Sequence, residues 1–221
     1  APGVKATEEC LPVLPMTVSM EFMAEAAALL VPGLGLIGFE EVRATRWIAL
    51  ENVSSIELEI TAKAAPDSAR PGVQPVQAAI FCQGKLSASA TVLFGSSYRE
   101  DVQFAIADHR GDGPWPVTAE EVYARRRMFH GPSFQSLAAL HTLGNPVSSG
   151  ELAVLPRDRL FASNPQPVLL TDPCLLDGVG QLFGLWCQMY DLYVLPSQVK
   201  KLEFYRSAPP VGTRVPVRIE V

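Results

Sequence analysis

A chain of 221 residues, 48% hydrophobic and 19% charged, has room for one large or two small cores and the composition of a soluble globular protein. A formal net charge of -5, with Arg125-Arg126-Arg127 as the sole basic cluster, excludes the basic surface that nucleic acid requires. No run reaches the roughly 18 apolar residues of a membrane span and no basic-then-apolar leader opens the chain, so the expectation is a cytoplasmic protein without a membrane partner.

The first ten residues are polar, contain Gly and Pro, and read as a loop. Pro15 then opens a helix rich in Met and Ala, which Pro32-Gly33 ends. Residues 38–50, 54–64, 76–83 and 85–94 read as strands, being rich in Val, Ile, Phe and Thr, partly alternating, and separated by polar or Pro/Gly turns. Residues 65–72 form one such turn. A helix followed by antiparallel strands is an α+β unit in which the sheet wraps its helix.

Between about 96 and 117 the periodicity fades and Asp, Gly and Pro collect, which predicts a linker. Thr118 and Glu121 have the spacing of a capping box for a short helix holding Val122, Tyr123 and the arginines. Phe129-His130-Gly131-Pro132 breaks it. Strands are expected at 136–143, 150–155, 194–204 and 214–221, with a helix near Asp177 between the second and third. The domain expectation is thus 1–97, a linker over 98–117, and 118–221. The four cysteines, Cys10, Cys82, Cys174 and Cys187, are far apart with no C-x-x-C pair, and they read as small buried hydrophobes, neither a zinc site nor a disulfide framework.

Chemistry is most legible at Asp172-Pro173-Cys174-Leu175-Leu176-Asp177-Gly178-Val179-Gly180-Gln181. Pro173 suits a first helical turn, where a missing N–H costs nothing, and Asp172 can cap the free N–H groups. Leu175, Leu176, Val179, Leu182, Phe183 and Trp186 are apolar on nearly every side, the pattern of a helix enclosed by other structure. A carboxylate there must be protonated, hydrogen-bonded or turned to a cavity, and Gln181 lies one turn on, on the same face. Taken alone, Asp177 and Gln181 form a satisfied polar pair in a core, face solvent through a gap, or face a ligand cavity.

This segment resembles the D/H-P-x-L-L-D-x-x-x-Q signature of dehydratase domains of type I polyketide synthases and polyunsaturated fatty acid synthases. Met128 to Gln135 looks like the family's Y/F/H-G-P-x-F-Q stretch, and Leu11 to Glu25 looks like its L-P-V-L-P-x-T-V-S-M-E-x-x-A-E segment. The resemblance implies a double hotdog, two antiparallel sheets each wrapped around a central helix. It makes Asp177 the catalytic aspartate and Gln181 the glutamine that supports it. It also places His130, Gly131, Pro132, Leu14 and Pro15 along the substrate.

The implied reaction removes water from a β-hydroxyacyl chain carried on the phosphopantetheine arm of an acyl carrier protein, giving an enoyl thioester. It needs no cofactor and no metal, and it implies neighbouring synthase domains as partners, with pairing of two copies left open. A histidine base and an aspartic acid suit it, since imidazole titrates near neutrality and a protonated carboxyl group can donate to a departing hydroxyl.

One departure stands out. The family's base lies in an H-x-x-x-G-x-x-x-x-P motif, and counting back nine from Pro15 finds Ala6, with Cys10 in the glycine place. No histidine precedes His109. The opening residues therefore read as a loop with the base upstream of residue 1, and the chain reads as lacking the first strands of one hotdog and the last of the other. His109 reads as solvated linker, His141 as a strand residue, and His130 as lining or structural in preference to a base. The alternatives are a non-catalytic double hotdog serving as scaffold or carrier-protein binding module, and an isomerase or cyclase of the same fold.

Overall fold

The computed structural model describes residues 12–50, 53–66, 70–100 and 113–221. In chain order the elements are α1 (Met16–Ala28), β1 (Gly35–Ala44), β2 (Leu58–Ala64), β3 (Val73–Cys82), β4 (Lys85–Gly95), β5 (Gly113–Pro114), α2 (Ala119–Ala124), a 3-10 turn (Pro132–Phe134), β6 (Leu137–Leu143), β7 (Val147–Ala153), α3 (Pro173–Met189), β8 (Gln198–Glu203) and β9 (Arg214–Glu220). They form two antiparallel sheets, one of five strands in the order β2-β3-β4-β1-β8 and one of four in the order β5-β6-β7-β9. The fold class is α+β, as the sequence implies.

The chain divides into two compact units. The first comprises the described part of Ala1–Val102 with Leu169–Thr171 and Pro196–Ser207. The second comprises the described part of Gln103–Val168 with Asp172–Leu195 and Ala208–Val221. No helix among the described residues is long and apolar enough to cross a membrane.

In the first unit, α1 starts after Pro15, whose φ of -59° already suits a helix. Its Met20, Met23, Ala24 and Ala27 are buried with Phe39, Val76, Ile80, Val92 and Phe94 from the sheet. Small side chains on the helix let the pleated surface come close. The strands β3 and β4 are joined by Gln83-Gly84, both at positive φ (52° and 70°), the backbone that a two-residue hairpin with the right twist demands.

The strand expected over 194–204 forms at Gln198–Glu203, yet it pairs with β1 of the first sheet, with Phe39 opposite Leu202. The reason is apolar burial: Val199, Leu202 and Phe204 pack on the first core, and the ring of Phe204 meets that of Phe39 edge-on at 6.2 Å. No single cut of the chain therefore separates the two units.

A charged side chain sits inside this first core. Glu21, on α1, is fully buried, and its carboxyl oxygens accept from the backbone N–H groups of Leu170 (2.6 Å) and Thr171 (2.7 Å) and from the Thr171 hydroxyl. These donors satisfy a group that would otherwise be costly to bury.

In the second unit, Trp115, Val122, Leu137, Leu152, Leu182, Leu185 and Trp186 make the core. The capping box is present: Thr118 N–H donates to the Glu121 carboxylate at 2.9 Å and Glu121 N–H to the Thr118 hydroxyl at 3.2 Å. At α3, Asp172 accepts from Leu175 N–H at 3.0 Å and pairs with Arg157 at 3.1 Å.

The helix is less enclosed than its composition suggests, since Val179 is 41% exposed. Cys174, Gly178, Gln181, Leu182 and Leu185 are buried along one face, and Trp186 and Cys187 are buried near the C-terminal end. Gly178 allows a close approach here, because a Cβ there would collide with the Ser136 side chain and lie 3.0 Å from a Leu152 methyl.

Replacing Glu21 by Leu leaves its buried N–H donors without acceptors. The expected loss is about 3–5 kcal/mol in denaturant unfolding, with Glu21→Gln costing less because one acceptor survives.

Candidate active site

The second unit brings together residues that lie far apart in sequence. The first turns of α3 present Asp177, and one turn later Gln181, which is 2% exposed. Gln181 Nε2 donates to Asp177 Oδ2 at 2.7 Å and to the Phe134 carbonyl at 2.7 Å. Its Oε1 accepts from the Tyr123 hydroxyl at 2.7 Å. Tyr123 in turn accepts from Leu137 N–H at 2.9 Å, so the phenol ties α2 to the start of β6.

His130 completes the group. Its Nε2 lies 3.1 Å from Asp177 Oδ2, with the two side chains 13% and 16% exposed. The Gly131-Pro132 break after α2 makes this approach possible: Pro132 opens the 3-10 turn with its fixed φ, and Gln135 Nε2 donates back to the His130 carbonyl at 3.0 Å. Phe129 stacks on the imidazole at 4.6 Å and 18°, and His130 Nδ1 is buried with no partner among the described residues. Both nitrogen neighbours of Asp177 sit at Oδ2, and no hydrogen bond reaches Oδ1 among the described residues.

The other sequence candidates are distributed as follows. Gly131 and Pro132 are exposed beside His130. Leu14 and Pro15 belong to the first unit, where Leu14 N–H donates to the Ile48 carbonyl at 2.8 Å and the Pro15 carbonyl receives the first bonds of α1. His141 lies on β6, half exposed, 3.3 Å from Glu151. His109, Ala6 and Cys10 lie outside the described residues.

Tyr123 is the member that sequence reasoning did not assign. Only its place in the capped helix was legible, since nothing in the spacing links it to Gln181, 58 positions away. Its hydroxyl pKa is raised, chiefly by burial with the Asp177 charge adding and the Leu137 N–H opposing, so the phenol stays protonated at neutral pH. Cys174, one turn before Asp177, is pushed up to about 12 by burial, with the charges of Asp172 and Asp177 adding to it. It is a thiol at neutral pH and not a nucleophile.

Two antiparallel sheets, each with its own helix, have the architecture of a double hotdog. A family model described as the polyketide synthase dehydratase N-terminal domain matches residues 103–221, more than half of the chain. The chain belongs to the polyketide synthase dehydratase family.

It is 23% identical over 202 residues to a polyunsaturated fatty acid synthase polypeptide of Thraustochytrium sp., covering 89% of this chain and 7% of that protein. The chain thus spans a small part of that curated relative. Among solved structures it is similar to the dehydratase domain from the CurF module of curacin polyketide synthase, with a TM-score of 0.69, 18% identity, and coverage of 96% of this chain and 74% of that one. The dehydratase domain from the CurK module is similar at a TM-score of 0.64 and 18% identity, over 95% of this chain and 73% of that one. At these identities the structural likeness carries the fold.

Gln181→Leu removes three hydrogen bonds and leaves the Tyr123 hydroxyl and the Phe134 carbonyl facing a methyl group. The expected loss of stability is about 2–4 kcal/mol, read from denaturant unfolding with an unchanged slope.

Proposed function

We propose that this chain acts in dehydration of a β-hydroxyacyl group tethered to an acyl carrier protein, as part of a polyketide or polyunsaturated fatty acid synthase. The observation that carries this reading is the placement of Asp177 Oδ2 between Gln181 Nε2 at 2.7 Å and His130 Nε2 at 3.1 Å, which leaves Oδ1 for a substrate hydroxyl. In the reaction a base takes the C2 proton, the C2–H electron pair becomes the C2–C3 double bond, and the C3–O bond breaks. The departing hydroxyl receives a proton from Asp177 in its protonated form, which becomes the carboxylate, and leaves as water.

The Gln181 amide, itself held by Tyr123 and the Phe134 carbonyl, donates to Asp177 Oδ2 and holds the carboxyl group in place, so little reorganisation is needed at the moment of reaction. His130 fits the role of lining residue better than that of base, because its Nε2 is turned to Asp177 and its Nδ1 is buried. Leu14, Pro15, Gly131 and Pro132 are proposed to line the acyl chain, as the resemblance implies.

A second reading, a non-catalytic double hotdog that binds the carrier-borne chain, is favoured by one fact: Ala6 stands where the resemblance places the base histidine. Both readings are tested in a synthase that contains this chain, with a β-hydroxyacyl thioester as substrate.

Dehydration is expected, with Asp177→Asn lowering turnover by about 10²–10⁴-fold and Gln181→Leu by roughly 10–1000-fold. The fold should survive Asp177→Asn, which is nearly isosteric, and His130→Phe should leave a measurable rate. Near-normal turnover by Asp177→Asn would overturn the assigned role. Binding without turnover in the unaltered synthase would establish the second reading.

A further inference from the structure

We infer that Tyr123 is a positioning residue for this site: its hydroxyl fixes the carboxamide of Gln181 so that an N–H group faces Asp177. The inference rests on the reading of Asp177 as the reacting carboxyl group. An amide side chain is nearly symmetric in shape, so its orientation is decided by which neighbours donate and which accept.

Here the neighbours are unambiguous. The Tyr123 oxygen already accepts from Leu137 N–H at 2.9 Å, which leaves its one hydrogen to donate to Gln181 Oε1 at 2.7 Å. The Phe134 carbonyl can only accept, and it takes one Nε2 hydrogen at 2.7 Å. The remaining Nε2 hydrogen has one direction left, toward Asp177 Oδ2. The raised pKa of the phenol, chiefly from burial, keeps that hydroxyl a donor wherever the protein is folded and active.

Without the Tyr123 hydroxyl, Gln181 Oε1 has no donor among the described residues while lying in a site only 2% exposed. A buried carbonyl without a donor is costly, so the amide must swing to find one, and Nε2 leaves Asp177 when it does. The hydroxyl hydrogen-bonds to the Gln181 amide and the Leu137 backbone and not to the carboxyl group, so its effect reaches the reaction chiefly through Gln181.

The experiment uses the full chain and its synthase. In isotope-labelled chain the two Gln181 side-chain amide hydrogens are expected to exchange with solvent at least about tenfold more slowly than those of an exposed glutamine, and Tyr123→Phe to abolish that protection. In turnover, Tyr123→Phe is expected to lower kcat by about 5–50-fold with KM changed by less than about twofold. Added to Gln181→Ala, it should produce no further loss, as two residues acting through one contact are not additive.

Exchange of the Gln181 hydrogens at the exposed rate in the unaltered chain overturns the inference, whether or not the variant folds. So does an unchanged kcat for Tyr123→Phe where Asp177→Asn is inactive, or an additive loss in the double variant. Turnover by Asp177→Asn would instead sink the functional reading, and the exchange measurement would still decide whether Tyr123 fixes the amide.

Discussion

A carboxamide can be buried only if each of its polar atoms finds a partner, and in the second unit that requirement falls on Gln181. Its carbonyl and both of its amide hydrogens are engaged, by Tyr123 of α2, by the Phe134 backbone of the 3-10 turn, and by Asp177 of its own helix. These three elements hold their geometry only together. If α2 shifted, the amide would lose its donor; if the turn unwound, it would lose an acceptor. The arrangement of Asp177 thus follows from satisfying its neighbour, and the carboxyl group itself is left with an oxygen to spare.

Packing decides how near that group comes to the sheet. Along α3 the face toward the strands carries Cys174 and Gly178, and Gly178 admits the Ser136 side chain where any Cβ would block it. Asp177 is adjacent to this stripe and not on it, which keeps its carboxyl group at the margin of the core, 16% exposed, with His130 at 13% across from it. A fully buried position would have demanded a permanent counter-charge, and a fully exposed one would have surrendered the group to water.

The first unit uses the same device with different chemistry. Glu21 on α1 is buried and is satisfied by the backbone N–H groups of Leu170 and Thr171, a segment about 150 positions away. In each unit the central helix buries a polar side chain, Glu21 or Gln181, that ties down a stretch of irregular backbone. Such bonds are costly to break once buried, so each specifies one arrangement of the chain among the many that apolar packing alone would tolerate.

Local signals in the sequence determined the elements. Pro173 starts α3 because a fixed φ suits a first turn, Pro15 stands at the N-cap of α1, Thr118 and Glu121 cap α2, and alternating Val, Ile and Thr mark the strands. The motif around Asp177 and the Gly131-Pro132 break were legible for the same reason, as each is a short-range pattern. Three matters were decided by tertiary structure. β8 joined the first sheet because Val199, Leu202 and Phe204 found their burial there, which no local pattern encodes. Val179 faces outward because one sheet covers one face of a helix, and composition does not say which. Tyr123 met Gln181 because two helices pack on the same strands, and a hydrogen bond across 58 positions leaves no trace in either segment's spacing.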